Sequence, residues 1–211
     1  MNPNVETKTA SAYLSGMATV FGGIEASGRD GSMLPLDRAI DRIIELLLET
    51  KGRDGNVMLI GNGGSAAIVS HIQNDLCKCI GIRALVFADQ PLLTALANDD
   101  GYETVFEMPI KLWAQPGDVL VAVSSSGESQ NILRAAAAAA ARGSRVVTFS
   151  GFKPANRLRQ LGEVNLYVPA DTYGYVEMTH SVLGHCITDL ARMRVMAQPD
   201  WPYAAGRLAT R

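Results

Sequence analysis

The chain has 211 residues, 47% of them hydrophobic and 19% charged, a balance that suits one globular α/β domain with a sizeable core. A net charge of −2 with scattered Lys and Arg excludes nucleic-acid binding as the main task, and no apolar run is long enough to span a bilayer. Cys77, Cys79 and Cys186 are an odd set without a disulfide framework and read as reduced cytosolic thiols. MNPNVETKTA lacks the positive and apolar regions of a secretory signal, so the expected compartment is the cytoplasm.

In chain order, residues 5–27 read as a long helix with Ala12, Leu14, Met17, Val20 and Phe21 on one side, a surface suited to packing on another subunit. Residues 28–35 are a loop. Residues 36–51 form a stronger amphipathic helix carrying Ile40, Ile43, Ile44, Leu47 and Leu48. Then a strand-and-helix alternation begins: strand 57–60, helix 65–79, strand 84–87, helices 91–97 and 104–113, strand 118–123, helix 131–142, and strands 145–149 and 164–168. A last helix covers 175–196 and stops before Pro199; the tail 198–211 carries no assignment. Apolar strands alternating with helices predict a parallel sheet covered on both faces, with ligands at the carboxyl ends of its strands.

Three stretches carry polar residues beyond what the fold needs. The first is VMLIGNGGSAAIVSHIQND, residues 57–75, an apolar run turning on Gly61-Asn62-Gly63-Gly64 into a helix. Its glycines admit close backbone approach, and the helix start favours an anion. An ordinary strand-to-helix turn has the same look, so the turn alone decides little. The spacing is neither G-x-G-x-x-G nor a Walker loop, which disfavours nucleotides. His71 and Asp75 follow, one turn apart on one helix face.

The second stretch is SSSGES, where Ser124, Ser125, Ser126 and Ser129 converge before a helix. One such residue suffices for a helix cap, so four argue for binding phosphate; Glu128 is expected to point outward. The third is YGYVEMTHSVLGHCITDL, which puts Glu177, His180 and His185 on the last helix. His71, Asp75, Glu177 and His185 are plausible zinc ligands. Glu177 and His185 are about 12 Å apart along an ideal helix, so sharing one ion requires both side chains to bend inward. His180 reads as a residue that supports the ligands from behind or as a structural one.

GNGGSAA with a histidine six residues after its serine, ALANDDGY, SSSGES and E-x-x-H-x-x-x-x-H together resemble the sugar isomerase (SIS) domains. Within them the chain resembles the phosphoheptose isomerases, over about residues 36–190. The resemblance implies a three-layer αβα sandwich around a five-stranded parallel sheet of flavodoxin-like topology, assembled as a homotetramer. It implies substrate-binding roles for Asn62, Gly63, Gly64, Asp75, Asn98, Asp99, Ser124, Ser125, Ser126, Ser129 and Glu177. It places zinc on His71, Asp75, Glu177 and His185, with Asp75 as catalytic base and His185 as catalytic acid. The family generally carries Glu where this chain has Asp75, Gln at Glu177 and Arg at Cys79. The implied reaction is sedoheptulose 7-phosphate to D-glycero-D-manno-heptose 7-phosphate. The alternatives are an isomerase of another sugar phosphate and a non-catalytic SIS regulator that binds a replication initiator or a sugar phosphate.

Overall fold

The computed structural model describes residues 9–197. Helix α1 (Ala10–Gly22) opens on Thr9, whose hydroxyl accepts the Ala12 N–H at 3.2 Å. The expected start at residue 5 lies outside the described residues, as do Pro199 and the 198–211 tail. The expected end at residue 27 is too late, because Gly22-Gly23 weakens the helix and it stops there. The chain instead forms two short strands, β1 (Glu25–Gly28) and β2 (Met33–Leu34), before α2 (Leu36–Gly52). β3 (Asn56–Gly61) leads into α3 (Gly64–Asp75), and α3 runs on into a π-helical turn, Leu76–Ile80. β4 (Arg83–Val86), α4 (Gln90–Asp99), a 3-10 turn (Tyr102–Thr104) and α5 (Glu107–Trp113) follow. Then come β5 (Val119–Ser124), α6 (Gln130–Ala141), β6 (Arg145–Ser150), β7 (Val164–Tyr167) and α7 (Tyr173–Met196).

The sheet corrects the expectation of five parallel strands. It is mixed and seven-stranded, in the order β2-β1-β7-β6-β5-β3-β4. β3 to β7 are mutually parallel, as expected, and follow the flavodoxin-like order. The addition is β1, antiparallel to β7 with Glu25 opposite Tyr167 and Gly28 opposite Val164, and β2 beyond it. The hairpin covers what would otherwise be the open edge of β7. Buried Asn165 fastens it, donating from Nδ2 to the Ser27 and Gly28 carbonyls at 3.3 Å each.

Alternate residues of the strands serve opposite faces. Val57, Leu59, Val121, Val147 and Phe149 pack with Ile43, Ile44 and Leu47 of α2, Val69 and Ile72 of α3, and Leu183 and Ile187 of α7. Met58, Ile60, Leu120, Ala122 and Val146 pack on the other side with Ile110 of α5 and with Ile132, Ala135 and Ala139 of α6. Burying one such Ile or Leu side chain contributes about 1.5–3 kcal/mol, and the two faces make the three expected layers. α4 buries none of its residues. Among the described residues no helix is long and apolar enough to cross a membrane.

Candidate active site

β3 and β5 lie side by side, although β4 comes between them in sequence. Strand order reverses there, and the crevice at the carboxyl ends of the two strands is where open α/β sheets take ligands. Two loops meet in it, the glycine turn after β3 and the serine loop after β5. Gly61 must be glycine, because a Cβ there would stand 2.7 Å from the Ser65 carbonyl group. The close turn starts α3 immediately, and its first residues, Gly64 and Ser65, line the crevice, where the unpaired N–H groups of a helix start favour an anion.

The crevice is a cleft of 240 Å³ bounded by Asn62, Gly63, Gly64, Ser65, Ser124, Ser125, Ser126, Ser129, Tyr173 and Glu177. Within the serine loop the Ser124 hydroxyl accepts the Gly127 N–H at 3.2 Å and lies 3.4 Å from Ser129 Oγ. Ser126 Oγ accepts the Glu128 N–H at 3.2 Å. Ser125 Oγ is buried and has no protein partner. Glu128 turns outward, as expected: its carboxylate accepts the Arg157 backbone N–H at 2.9 Å and Arg157 Nε at 2.6 Å. Those contacts, the backbone one foremost, hold its pKa below the usual carboxylate value. Glu177, from the first turns of α7, lies so close to α3 that a Cβ on Gly64 would come 2.3 Å from its Oε2.

Farther along α3 and α7 a second group assembles. His71 Nε2 is 3.5 Å from Asp75 Oδ2, and His185 Nδ1 is 3.6 Å from the same oxygen. The imidazole rings meet edge-on with centroids 4.8 Å apart. Asn74 Nδ2 donates to Asp75 Oδ1 at 3.1 Å, which leaves Oδ2 for the histidines. The side chains of His71 and His185 are 58% and 50% exposed, whereas that of Asp75 is 16% exposed.

One ligand atom from each of the three falls within 4.8 Å of the others. Ligand atoms held 2.0–2.1 Å from one tetrahedral zinc stand roughly 3.3–3.4 Å apart, so the spacing and the N,N,O donor set fit a divalent ion with a position left open. Glu177 is not in this tight group and faces the serine cleft instead.

Elsewhere the structure separates residues that the resemblance would join. Asn98 and Asp99 are exposed at the end of α4, where Asn98 Nδ2 donates to Asp99 Oδ1 at 2.8 Å, and neither lines the cleft. His180 is fully buried, with Nε2 donating to the Ser150 carbonyl at 3.1 Å and the ring against Phe149. Desolvation pushes its pKa down to about 4, so it serves as a neutral structural residue joining α7 to β6.

Two further polar residues, not anticipated from the sequence, surround Asn62. Asn131 exchanges two amide hydrogen bonds with it, at 3.0 and 2.8 Å, and the Tyr102 hydroxyl donates to Asn62 Oδ1 at 3.0 Å. The available signal was a polar side chain at position 131, beside Ile132 and Leu133 on a helix whose buried face is otherwise apolar.

The SIS domain family model matches residues 35–151. The phosphoheptose isomerase of Thiobacillus denitrificans (strain ATCC 25259 / T1) is 35% identical over 158 residues, covering 71% of this chain and 80% of the relative. That of Geotalea daltonii is 31% identical over 169 residues, covering 77% of this chain and 88% of the relative. The solved structure of phosphoheptose isomerase GmhA from Neisseria gonorrhoeae superimposes with a TM-score of 0.76 at 27% identity, covering 87% of this chain and 96% of that one.

Proposed function

The chain belongs to the SIS domain family, and on that premise we propose that it is a metal-dependent aldose–ketose isomerase of a sugar phosphate. The likeness to phosphoheptose isomerases supports sedoheptulose 7-phosphate as the ketose and D-glycero-D-manno-heptose 7-phosphate as the aldose. The observation that carries the reading is a hydroxyl-rich cleft, bounded on one side by the first residues of α3 and α7, together with a His-Asp-His group farther along those two helices. Gly64, at the cleft, and His71 are seven residues apart on α3, about 10.5 Å at 1.5 Å per residue. From phosphorus to C1 an extended heptose 7-phosphate spans eight bonds of about 1.2 Å each, roughly 10 Å. A phosphate among Ser124, Ser125, Ser126 and Ser129 leaves the C1–C2 end within reach of Asp75.

In this reading Asp75 takes a proton from C1. The C1–H electron pair becomes a C1–C2 double bond, the C2 carbonyl π pair moves onto its oxygen, and that oxygen takes a proton from solvent, to which the O1 proton is later returned. His185 then delivers a proton to C2, and loss of the proton on O1 leaves an aldehyde at C1. Asn74 and the two imidazoles orient the Asp75 carboxylate. Glu177, across from the serines, accepts hydrogen bonds from sugar hydroxyls. His71, Asp75 and His185 would hold a divalent ion, most simply zinc, with Glu177 a fourth ligand if its side chain swings toward them. When bound, the ion supplies Lewis-acid polarisation of the sugar oxygens.

Incubation with a panel of ketose phosphates, before and after chelation, with product identification, tests the reading. Turnover of a ketose phosphate that chelation removes and zinc restores is expected. No turnover of any member would contradict the enzyme, and full activity after metal removal would contradict the metal. Turnover of a different ketose phosphate alone would reassign the substrate.

A further inference from the structure

The Asn62 side chain sits where three walls meet. It lines the serine cleft and also a neighbouring hollow of 560 Å³ with Tyr102, Glu103, Ser129, Gln130, Asn131 and Arg134. Its hydrogen-bonding capacity is almost used up within the protein. An amide oxygen accepts two hydrogen bonds and an amide nitrogen donates two. Asn62 Oδ1 accepts from Asn131 Nδ2 and from the Tyr102 hydroxyl, at 2.8 and 3.0 Å. Asn62 Nδ2 gives one hydrogen to Asn131 Oδ1 at 3.0 Å, which leaves one N–H uncommitted among the described contacts. Asn131 is buried and is not among the residues that bound the serine cleft, although it forms part of the wall of the neighbouring hollow. Its Oδ1 also accepts the Ile132 backbone N–H at 3.0 Å, which fixes its side chain against the first turn of α6.

We infer that Asn131 is a positioning residue. Its reciprocal amide pair with Asn62 clamps the glycine turn after β3 to the helix that the serine loop starts, so the two walls of the cleft hold a fixed separation. With both lone pairs of Asn62 Oδ1 occupied, the residue meets the substrate as a donor through its single free N–H. It therefore selects an acceptor oxygen, such as a phosphate or carbonyl oxygen. The role deepens the proposed sugar-phosphate chemistry and rests on it for the identity of the ligand.

The test compares Asn131→Ala and Asn131→Asp with the wild type by steady-state kinetics on the ketose phosphate it isomerises, across pH 5.5–8.5, with thermal unfolding in parallel. Asn131→Ala, assayed well below its melting midpoint, should lose about 10- to 100-fold in kcat/KM, since the pair that orients Asn62 is gone. Asn131→Asp carries the sharper signature. As a carboxylate its second oxygen opposes Asn62 Oδ1. As a carboxylic acid it donates to that oxygen and the reciprocal pair re-forms.

Burial beside an acceptor raises the folded-state pKa of this new carboxyl, so the stability it contributes is present at low pH and lost as pH rises through that value. Both kcat/KM and melting midpoint, taken relative to wild type at each pH, should therefore rise as pH falls. An Asn131→Ala protein that is folded and within twofold of wild type, or a flat relative pH profile for Asn131→Asp, would overturn the inference. Should the wild type turn over no ketose phosphate, the functional reading falls separately. Calorimetric binding of sedoheptulose 7-phosphate then replaces kinetics: weaker binding by Asn131→Ala upholds the clamp, equal binding overturns it, and no binding by the wild type removes both.

Discussion

Asp75 is held by its neighbours in a way that assigns its two oxygens different tasks: Oδ1 accepts from Asn74 and Oδ2 faces both His71 and His185. Asp75→Asn keeps the shape and removes the proton acceptor. It should lower kcat by about 10²–10⁴ with KM close to wild type. Steady-state kinetics checks this, and near-normal kcat would remove Asp75 from the role of base.

His180 makes the opposite case, a histidine whose work is in the fold. Its folded-state pKa of about 4 lies below the ordinary 6.5, because burial penalises the charged ring. The unfolded chain therefore binds the extra proton first. The stability contributed by the neutral ring is fully present above pH 6.5 and is lost as pH falls toward 4, on the order of 3 kcal/mol in all. Urea unfolding of wild type and His180→Gln between pH 7.5 and 4 should show this loss in the wild type and a shallower one in the variant. Parallel curves would contradict it.

At the scale of elements, the serine loop and glycine turn were legible because each follows an apolar strand and contains more polar or glycine residues than a turn needs. β3 to β7 were legible for the same reason: runs such as VMLI and DVLVAV are long, apolar and bounded by turns. β1 was not. EASG has one apolar residue, Ala26, and it becomes a strand because β7 and β2 offer edges to pair with. The i, i+4 spacing of His71 and Asp75 gave two of the three residues of the metal group, and helix packing brings His185 to them. Glu177, eight residues before His185 on a rigid helix, stays at the cleft. The Asn62–Asn131 pair joins residues 69 apart, a relation that no local pattern contains.

The loop's own prediction is that Ser126→Ala with Ser129→Ala raises KM for the sugar phosphate by about tenfold or more while the protein remains folded. Kinetics beside circular dichroism tests this, and an unchanged KM in the double variant would move the phosphate elsewhere.

For the whole molecule, α1 and α7 are among the helices that leave large apolar side chains in water. α1 exposes Leu14 at 68%, with Tyr13 and Phe21 on the same helix, and α7 exposes Met178, Val182 and Met193. Tyr13 stacks on Tyr175 with ring centroids 4.6 Å apart, so the two helices share one surface. Such a surface on a protein with a well-filled core is suited to a symmetric contact between copies. We propose the homotetramer that the resemblance implies. Light scattering at micromolar concentration should give about 90 kDa for four chains of 22.5 kDa, and Leu14→Glu should lower that mass. A monomer in the wild type would refute the assembly.

The central claim is proton transfer between C1 and C2 of a phosphorylated ketose. The most direct measurement is proton NMR of the purified, zinc-loaded protein with sedoheptulose 7-phosphate in deuterium oxide. The predicted result is a manno-heptose 7-phosphate carrying solvent deuterium at C2, formed by wild type and abolished in Asp75→Asn. A ketose that stays unconverted and keeps both C1 protons through prolonged incubation would contradict the account.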